Sequence, residues 1–274
     1  MSAPRLAVRK TYKLWIGGAF VRSESGRYDR AGAFNIPRAS RKDVRDAVAA
    51  ARKAAEPWAS RTAYNRGQIL YRAAEALESG ASRFAETVGQ DEVDAAVDVL
   101  VHYAGWTDKL QPVLGGINPV AAPFLSFSLP EPTGVVGVIA PDEPALLGLV
   151  AEVAPVIAAG NVAVAILSEK LPLPGLDLAE VLGVSDVPGG VVNLLSGRRG
   201  ELSTALGGHR DLNAVLDAAG DAQLSAELDR LGSETIKRVR HRAAVTSYDA
   251  AIADSLERLE AVTELKAAWH PIGA

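Results

Sequence analysis

No cysteine occurs anywhere in the 274 residues. Disulfides and thiolate metal sites are excluded, and so is any mechanism that begins with a thiolate nucleophile of this chain. Histidine is nearly as scarce. His102, His209, His241 and His270 are scattered with no pair at ligand spacing, so no metal site is expected. An excess of one charge is lacking too: with 29 basic against 33 acidic residues and no basic stripe interleaved with aromatics, nucleic acid is not an expected partner. No run approaches the ~18 consecutive apolar residues that span a bilayer, and Met1–Lys13 holds no apolar core of the secretory kind. A soluble, cytoplasmic protein is the expectation. The GxGxxG, P-loop and GxSxG fingerprints are also absent.

What is present is enough apolar sequence, 48% of residues, to bury a core in one large or two small domains. Thr11–Arg22 sets apolar runs on either side of Gly17-Gly18 and reads as a short hairpin. Ser40 with Asp43 is a capping box, opening a helix whose apolar face is Val44, Ala47, Val48 and Ala51. Helical spacing predicts a second helix over Ala63–Ser79 and a third over Ala81–Lys109. Phe124–Leu129 alternates large apolar with small or polar residues, as a strand with one exposed face does, and ends at Pro130.

From Val135 onward the rhythm changes. Short aliphatic runs (Val135–Ala140, Val162–Leu167, Val191–Leu195, Leu212–Leu216) alternate with helical segments (Ala145–Ala159, Leu176–Leu182, Gly200–Leu206, Ala222–Arg240). This predicts an α/β fold, a Rossmann-like doubly wound parallel sheet with right-handed crossovers, behind a helical lead-in. Lys237–Arg242 reads as the basic end of the last of these helices, meeting its macrodipole. Ser247–Glu260 reads as one more helix and Val262–Trp269 as an edge strand. Trp15, Trp58, Trp106 and Trp269 are read as core or interface anchors.

Three segments together carry a resemblance: Glu131–Pro141, Pro155–Asn161 (PVIAAGN) and Asp186–Asn193 (DVPGGVVN). They resemble the aldehyde dehydrogenase superfamily, and more closely a short, divergent bacterial branch of it. The first is similar to the opening strand of its nucleotide fold, the others to its "PALAAGN" and "PxGVxN" segments. Lys42–Ala76 resembles the family's helical lead-in and Leu259–Trp269 its C-terminal strand. The resemblance implies that Phe124–Leu129 and the C-terminal strand form an oligomerisation element. It also implies a gap. A block of roughly 200 residues, holding the catalytic cysteine and the "ELGG" glutamate, is missing between them here.

The resemblance carries site expectations position by position. Where relatives place an asparagine on the developing oxyanion, this chain has Asp142-Glu143-Pro144, and two carboxylates repel a forming negative charge. An acid–base pair at the end of a parallel strand is one alternative. The preferred reading is a solvated acidic loop capping the helix at Pro144. Where relatives hold the adenosine ribose with a lysine and a glutamate, the glutamate is kept as Glu169 beside Ser168. The lysine is replaced by Ile166, a lost donor of about 1–3 kcal/mol. An exposed loop glutamate is the alternative for Glu169. Where a helix N-terminus receives pyrophosphate, Gly220 is kept but the serine is gone, and Asp221 is placed to cap that helix itself. Ser168, Glu169 and Gly220 are thus the candidate cofactor-binding residues, with no catalytic residue. No cofactor is expected, weak NAD binding being the alternative.

Two functional readings result. In the first, the chain is an aldehyde-dehydrogenase-like pseudoenzyme, a structural or regulatory subunit. It assembles with a full-length aldehyde dehydrogenase through Phe124–Leu129 and Val262–Trp269, since an unpaired strand edge is a liability unless another chain adds to it. In the second, it is an NAD(P)-binding oxidoreductase component serving a partner's cysteine. A third, a decayed gene product, is disfavoured by the core pattern kept into the C-terminal strand. The expected organisation is a hairpin-and-helix region (1–123), an oligomerisation strand (124–130), a Rossmann-like domain (131–242) and a C-terminal helix and strand (243–274).

Overall fold

The computed structural model describes residues 8–272, so part of the Met1–Lys13 segment lies outside it. The chain opens with the expected hairpin, β1 (Leu14–Ile16) and β2 (Ala19–Val21), turning at Gly17 and Gly18, both at positive φ. A second hairpin, β3 (Tyr28–Ala31) and β4 (Phe34–Pro37), was not anticipated. Helix α1 (Arg41–Ala59) starts at the predicted capping box, with Ser40 and Asp43 satisfying each other's backbone. Helix α2 (Ala63–Ser79) matches its predicted span. The single helix expected over 81–109 is instead two, α3 (Ala81–Val88) and α4 (Gln90–Trp106), because Gly89 at φ 86° breaks the spiral. A short α5 (Leu110–Leu114) and β5 (Gly116–Asn118) lead to β6 (Phe124–Pro132).

The α/β part follows in the predicted alternation: β7 (Val135–Ile139), α6 (Leu147–Ala158), β8 (Val162–Ile166), α7 (Leu173–Val184), β9 (Val192–Leu195), α8 (Arg199–Gly207), β10 (Ala214–Asp217) and α9 (Ala222–Ser233). The basic run predicted to end α9 is corrected. Arg238–His241 forms β11, an edge strand parallel to β10, since α9 stops at Ser233 and the run alternates apolar with charged residues as an edge strand does. Two short helices, α10 (Tyr248–Ala253) and α11 (Ser255–Glu260), replace the one expected, and β12 (Thr263–Pro271) follows.

The main sheet runs β11-β10-β7-β8-β9-β1-β2. Five strands are parallel, and the opening hairpin joins antiparallel through Trp15 opposite Leu194. The expected doubly wound α/β sheet is therefore present, with β7 at its point of reversal. Helices α1, α8 and α9 lie on one face; α6 and α7 lie on the other, with α2 and α4 stacked outside. Every residue of α6 is buried, because sheet and helices enclose it from both sides.

The hairpin tip docks where two backbones touch. A Cβ on Gly18 would stand 2.6 Å from the Cα of Gly189, and one on Gly189 would stand 2.5 Å from the carbonyl oxygen of Gly17. No flexible side chain is there to yield. Gly189→Ala is expected to cost about 1–3 kcal/mol, read as a lower urea midpoint at unchanged slope.

A second sheet, β12-β6-β5, stands apart. Nine residues of β12 pair antiparallel with β6, from Thr263 opposite Pro132 to Pro271 opposite Phe124. The strand expected to end at Pro130 thus runs on to Pro132. The prolines lie beyond the three residues that β5 pairs, where an edge tolerates a missing N–H.

A half-buried and a buried cation close several helix ends. Arg66 donates to the carbonyls of Ala158, Ala59 and Arg61, and Lys237 donates to those of Gly207 and His209, favourable partners for helix C-termini. Glu152, 1% exposed in mid-α6, bonds Arg258 of α11 at 2.5 Å and faces Arg242 at 3.5 Å. That triad anchors the segment after β11. No helix among the described residues is long and apolar enough to cross a membrane.

Candidate functional site

Parallel strands deliver their carboxyl ends to one rim of a sheet, where doubly wound folds bind ligands. Four loops form that rim here: residues 140–146 after β7, 167–172 after β8, 196–198 after β9 and 218–221 after β10.

Asp142 is not a solvated acid. Its Oδ1 accepts from Arg199 Nη2 at 2.6 Å, from the N–H of Glu169 at 2.9 Å and from Ser168 Oγ at 3.1 Å, while Oδ2 accepts from Arg199 Nη1 at 3.0 Å. Burial alone would raise this carboxyl, but the Arg199 guanidinium outweighs burial and holds it below its ordinary value. Arg199 also donates to the Ala140 carbonyl at 3.1 Å. One ion pair therefore ties the loops after β7 and β8 to the head of α8. Nor does the acidic loop cap α6. Glu92, reaching across from α4, accepts from the N–H groups of Leu146 and Leu147 at 2.7 and 3.1 Å.

Ser168 is buried as a loop staple, its hydroxyl donating to Asp142 and accepting from the N–H of Leu171 at 2.9 Å. Glu169 is neither free nor simply exposed. It accepts from the N–H of Arg199 at 2.6 Å and from Arg198 Nη1 at 3.1 Å, and Arg198 is also paired with Asp29 of β3. Ile166 is wholly buried in β8 opposite Ile139. Gly220 lies on the far side of β7 from Ser168 and Glu169, at φ 70° with open space around it, so its role is the turn. Asp221 caps α9 as expected, accepting from the N–H groups of Gln223 and Leu224 at 2.9 and 3.1 Å.

Of the four helix N-termini at this rim, that of α7 has no side-chain cap; the other three are each answered by a carboxylate of the chain, Glu92 on α6, Glu169 on α8 and Asp221 on α9. A phosphate arriving there would meet occupied amides and a like charge. The cavity beside Glu169, lined by Asp29, Arg30, Lys170 and Arg198, holds about 210 Å³, below the ~300–1,000 Å³ of typical ligand sites. A larger concavity of about 550 Å³ lies far from the rim, between α2 and α4.

The histidines offer no free chemistry at the rim. His241 of β11 holds Asp217 with Nδ1 at 3.0 Å and Asp229 with Nε2 at 2.9 Å, and Ser225 Oγ donates to the same Asp217 at 2.7 Å. Burial lowers its pKa, but the two carboxylates outweigh burial and raise it above the ordinary value. Both nitrogens are engaged in pinning α9 to the sheet. His102 packs away from the rim, against Trp106 and Ser255. Among the described residues no three His, Asp or Glu converge as a metal would need.

Sequence reasoning missed Arg199 and Glu92. A signal for the first existed, since an arginine at a helix N-terminus opposes the dipole and requires a carboxylate nearby. Nothing local marks Glu92, whose partner lies in another helix.

Comparison with known proteins places the chain. The model of the Aldehyde dehydrogenase family matches residues 26–247. An aldehyde dehydrogenase of Aspergillus niger is 33% identical over 220 residues, covering 74% of this chain and 44% of its own length. The mitochondrial aldehyde dehydrogenase of Rattus norvegicus is 31% identical over 223 residues, covering 74% of this chain and 41% of its own length. The NAD+ complex structure of aldehyde dehydrogenase from Bacillus cereus superposes with a TM-score of 0.79 at 27% identity, over 85% of this chain and 51% of that one. The chain spans about half the length of the relatives it matches. The C-terminal resemblance over Leu259–Trp269 lies past the region the family model covers. On this match and these identities, the chain belongs to the aldehyde dehydrogenase family.

Proposed function

We propose that the chain is a non-catalytic member of this family, a structural or regulatory subunit that assembles with a full-length aldehyde dehydrogenase through β6 and β12. The observation that carries this reading is the self-filled rim. In a chain without cysteine, Asp142 and Arg199 pair across the crevice, and Glu92, Glu169 and Asp221 take the amides that a dinucleotide would use. Assembly with such a partner is supported by the second sheet, whose outer strand β12 leaves Leu265 and Trp269 62% and 60% exposed. Only residues 242–262 separate β11 from β12, where the resemblance puts the cysteine-bearing block of its relatives.

The test is isolation of the tagged protein from its own cells, with native mass and identification of what accompanies it. A stoichiometric full-length aldehyde dehydrogenase supports the reading. The tagged chain without one overturns it.

The second reading, an NAD(P)-binding component, is favoured by two observations: Glu169 is retained, and a relative was solved with NAD+. Calorimetric titration separates the two. The self-filled rim predicts NAD binding weaker than about 1 mM, less than about 4 kcal/mol. Micromolar binding that is lost in Glu169→Ala would establish the second reading instead.

A further inference from the structure

Asp217 ends β10 with its side chain buried at the rim of the main sheet. Among the described residues no lysine or arginine pairs with it. Its carboxylate accepts from Ser225 Oγ at 2.7 Å and from the N–H of Ala219 at 3.1 Å, both neutral donors. The one partner able to bring a positive charge is His241, whose Nδ1 stands 3.0 Å away.

The other side of the His241 ring meets a second carboxylate, Asp229 of α9, 2.9 Å from Nε2. An ionised carboxylate only accepts, so each ring nitrogen must carry a proton to make its contact, and a neutral imidazole has a single N–H. The geometry is therefore that of an imidazolium. Deprotonation removes one of the two bonds and leaves the buried Asp217 without a cation. Burial lowers the pKa of this ring, but Asp229 and Asp217 outweigh burial and raise it. The other charged groups around it are Arg240 and Arg242 on its own strand and, across a cavity of about 230 Å³, Glu257 and Glu260 of α11. With two of each sign, these leave the aspartates to decide.

The ring sits where a latch has most effect. Strand β11 is an outer edge of the main sheet, joined to β10 alone by four residue pairs, of which Asp217 opposite His241 is the last. The same ring reaches α9, and the stretch that leads to β12 begins at the next residue. We propose that His241 is a pH-sensitive latch: as the imidazolium it fastens β11 and α9 to β10, and on losing its proton it lets that edge loosen. An unfolded histidine titrates near pH ~6.5. Since the folded value is raised, the stabilisation is fully present below about pH 6.5 and is lost as pH rises through the raised value. The device uses this chain alone and is independent of what β12 contacts.

Ring-nitrogen NMR of the histidine-labelled chain, titrated from about pH 6 to 9, tests it. Hydrogen exchange is followed over the same range and corrected for the free-amide rate. Both His241 nitrogens are expected to be protonated at about pH 7. His102, whose Nε2 accepts the Trp106 indole N–H at 3.0 Å, gives the contrasting signal of a bare nitrogen. As His241 deprotonates, amides of β11 and α9 are expected to lose roughly 3- to 10-fold in protection, the scale of one hydrogen bond. Those of α1 should not follow. His241→Gln keeps a donor without a titrating group, so its exchange should show no step in this range. Asp217→Asn removes the buried charge and should lower the midpoint of His241 toward about 6.5. A neutral His241 at pH ~7 overturns the proposal, and that reading needs no variant. So does a loss of protection that spares β11, or one that persists unchanged in His241→Gln.

Discussion

Glu152→Gln is expected to destabilise the protein by about 3–5 kcal/mol, the usual cost of leaving buried charges without their counter-ion. The carboxylate sits in a helix buried along its whole length and faces two guanidinium groups, Arg242 and Arg258, whose side chains are only 12% and 6% exposed. Removing its charge leaves two cations in an apolar setting with no acid between them. The loss is read as a fall in urea midpoint, and by hydrogen exchange as early opening over 243–262, the stretch the triad anchors. Replacing all three groups together, as Glu152→Leu with Arg242→Leu and Arg258→Met, is expected to recover most of the loss, because a well-packed apolar set avoids the desolvation that an ion cluster entails. A loss below about 1 kcal/mol in the single variant would mean that water reaches the arginines, and that the cluster behaves as a surface one.

If the chain assembles with a full-length aldehyde dehydrogenase as proposed, Trp269→Ala is expected to weaken that assembly by about 30- to 1,000-fold, the 2–4 kcal/mol associated with an aromatic anchor. The ring packs edge-on against Phe124 with centroids 6.0 Å apart, yet keeps 60% of its surface exposed. Leu265 lies on the same face four residues away, since alternate residues of a strand share a side. An aromatic and a leucine displayed in this way contribute little to the fold of the isolated chain. The variant should therefore keep its unfolding midpoint while co-purification falls. Unchanged co-purification would rule this face out as the contact. A fall in midpoint would mean that Trp269 serves the fold itself.

The fold was legible wherever a local pattern decided it. The capping box at Ser40, the hairpin at Gly17-Gly18 and the alternation after Val135 each express a constraint carried by a few neighbouring residues. Errors fell where a single backbone conformation or a distant partner decided. Gly89 breaks a helix whose apolar spacing runs straight through it. The run 237–242 has a helix-compatible composition, and only the vacant edge of β10 makes part of it a strand. The rim was half legible. Asp221 acts on the helix it begins, so its role could be read in place. The roles of Asp142 and Glu169 depend on Arg198 and Arg199, about thirty or more residues downstream, and that of Glu92 on a helix more than fifty residues away.

The pairing of β6 with β12 also bears on the order in which the chain is assembled. Partners such as Pro132 and Thr263 are separated by about 130 residues, and the whole parallel sheet lies between them. During synthesis that sheet has every strand it needs before β12 leaves the ribosome, whereas β6 emerges early with only the three-residue β5 beside it. Contacts of such long range close slowly, and an open strand edge is prone to wrong partners while it waits. Until β12 arrives, the strand it will cover is available to another chain. Any partner that uses this sheet has its first opportunity on the nascent protein.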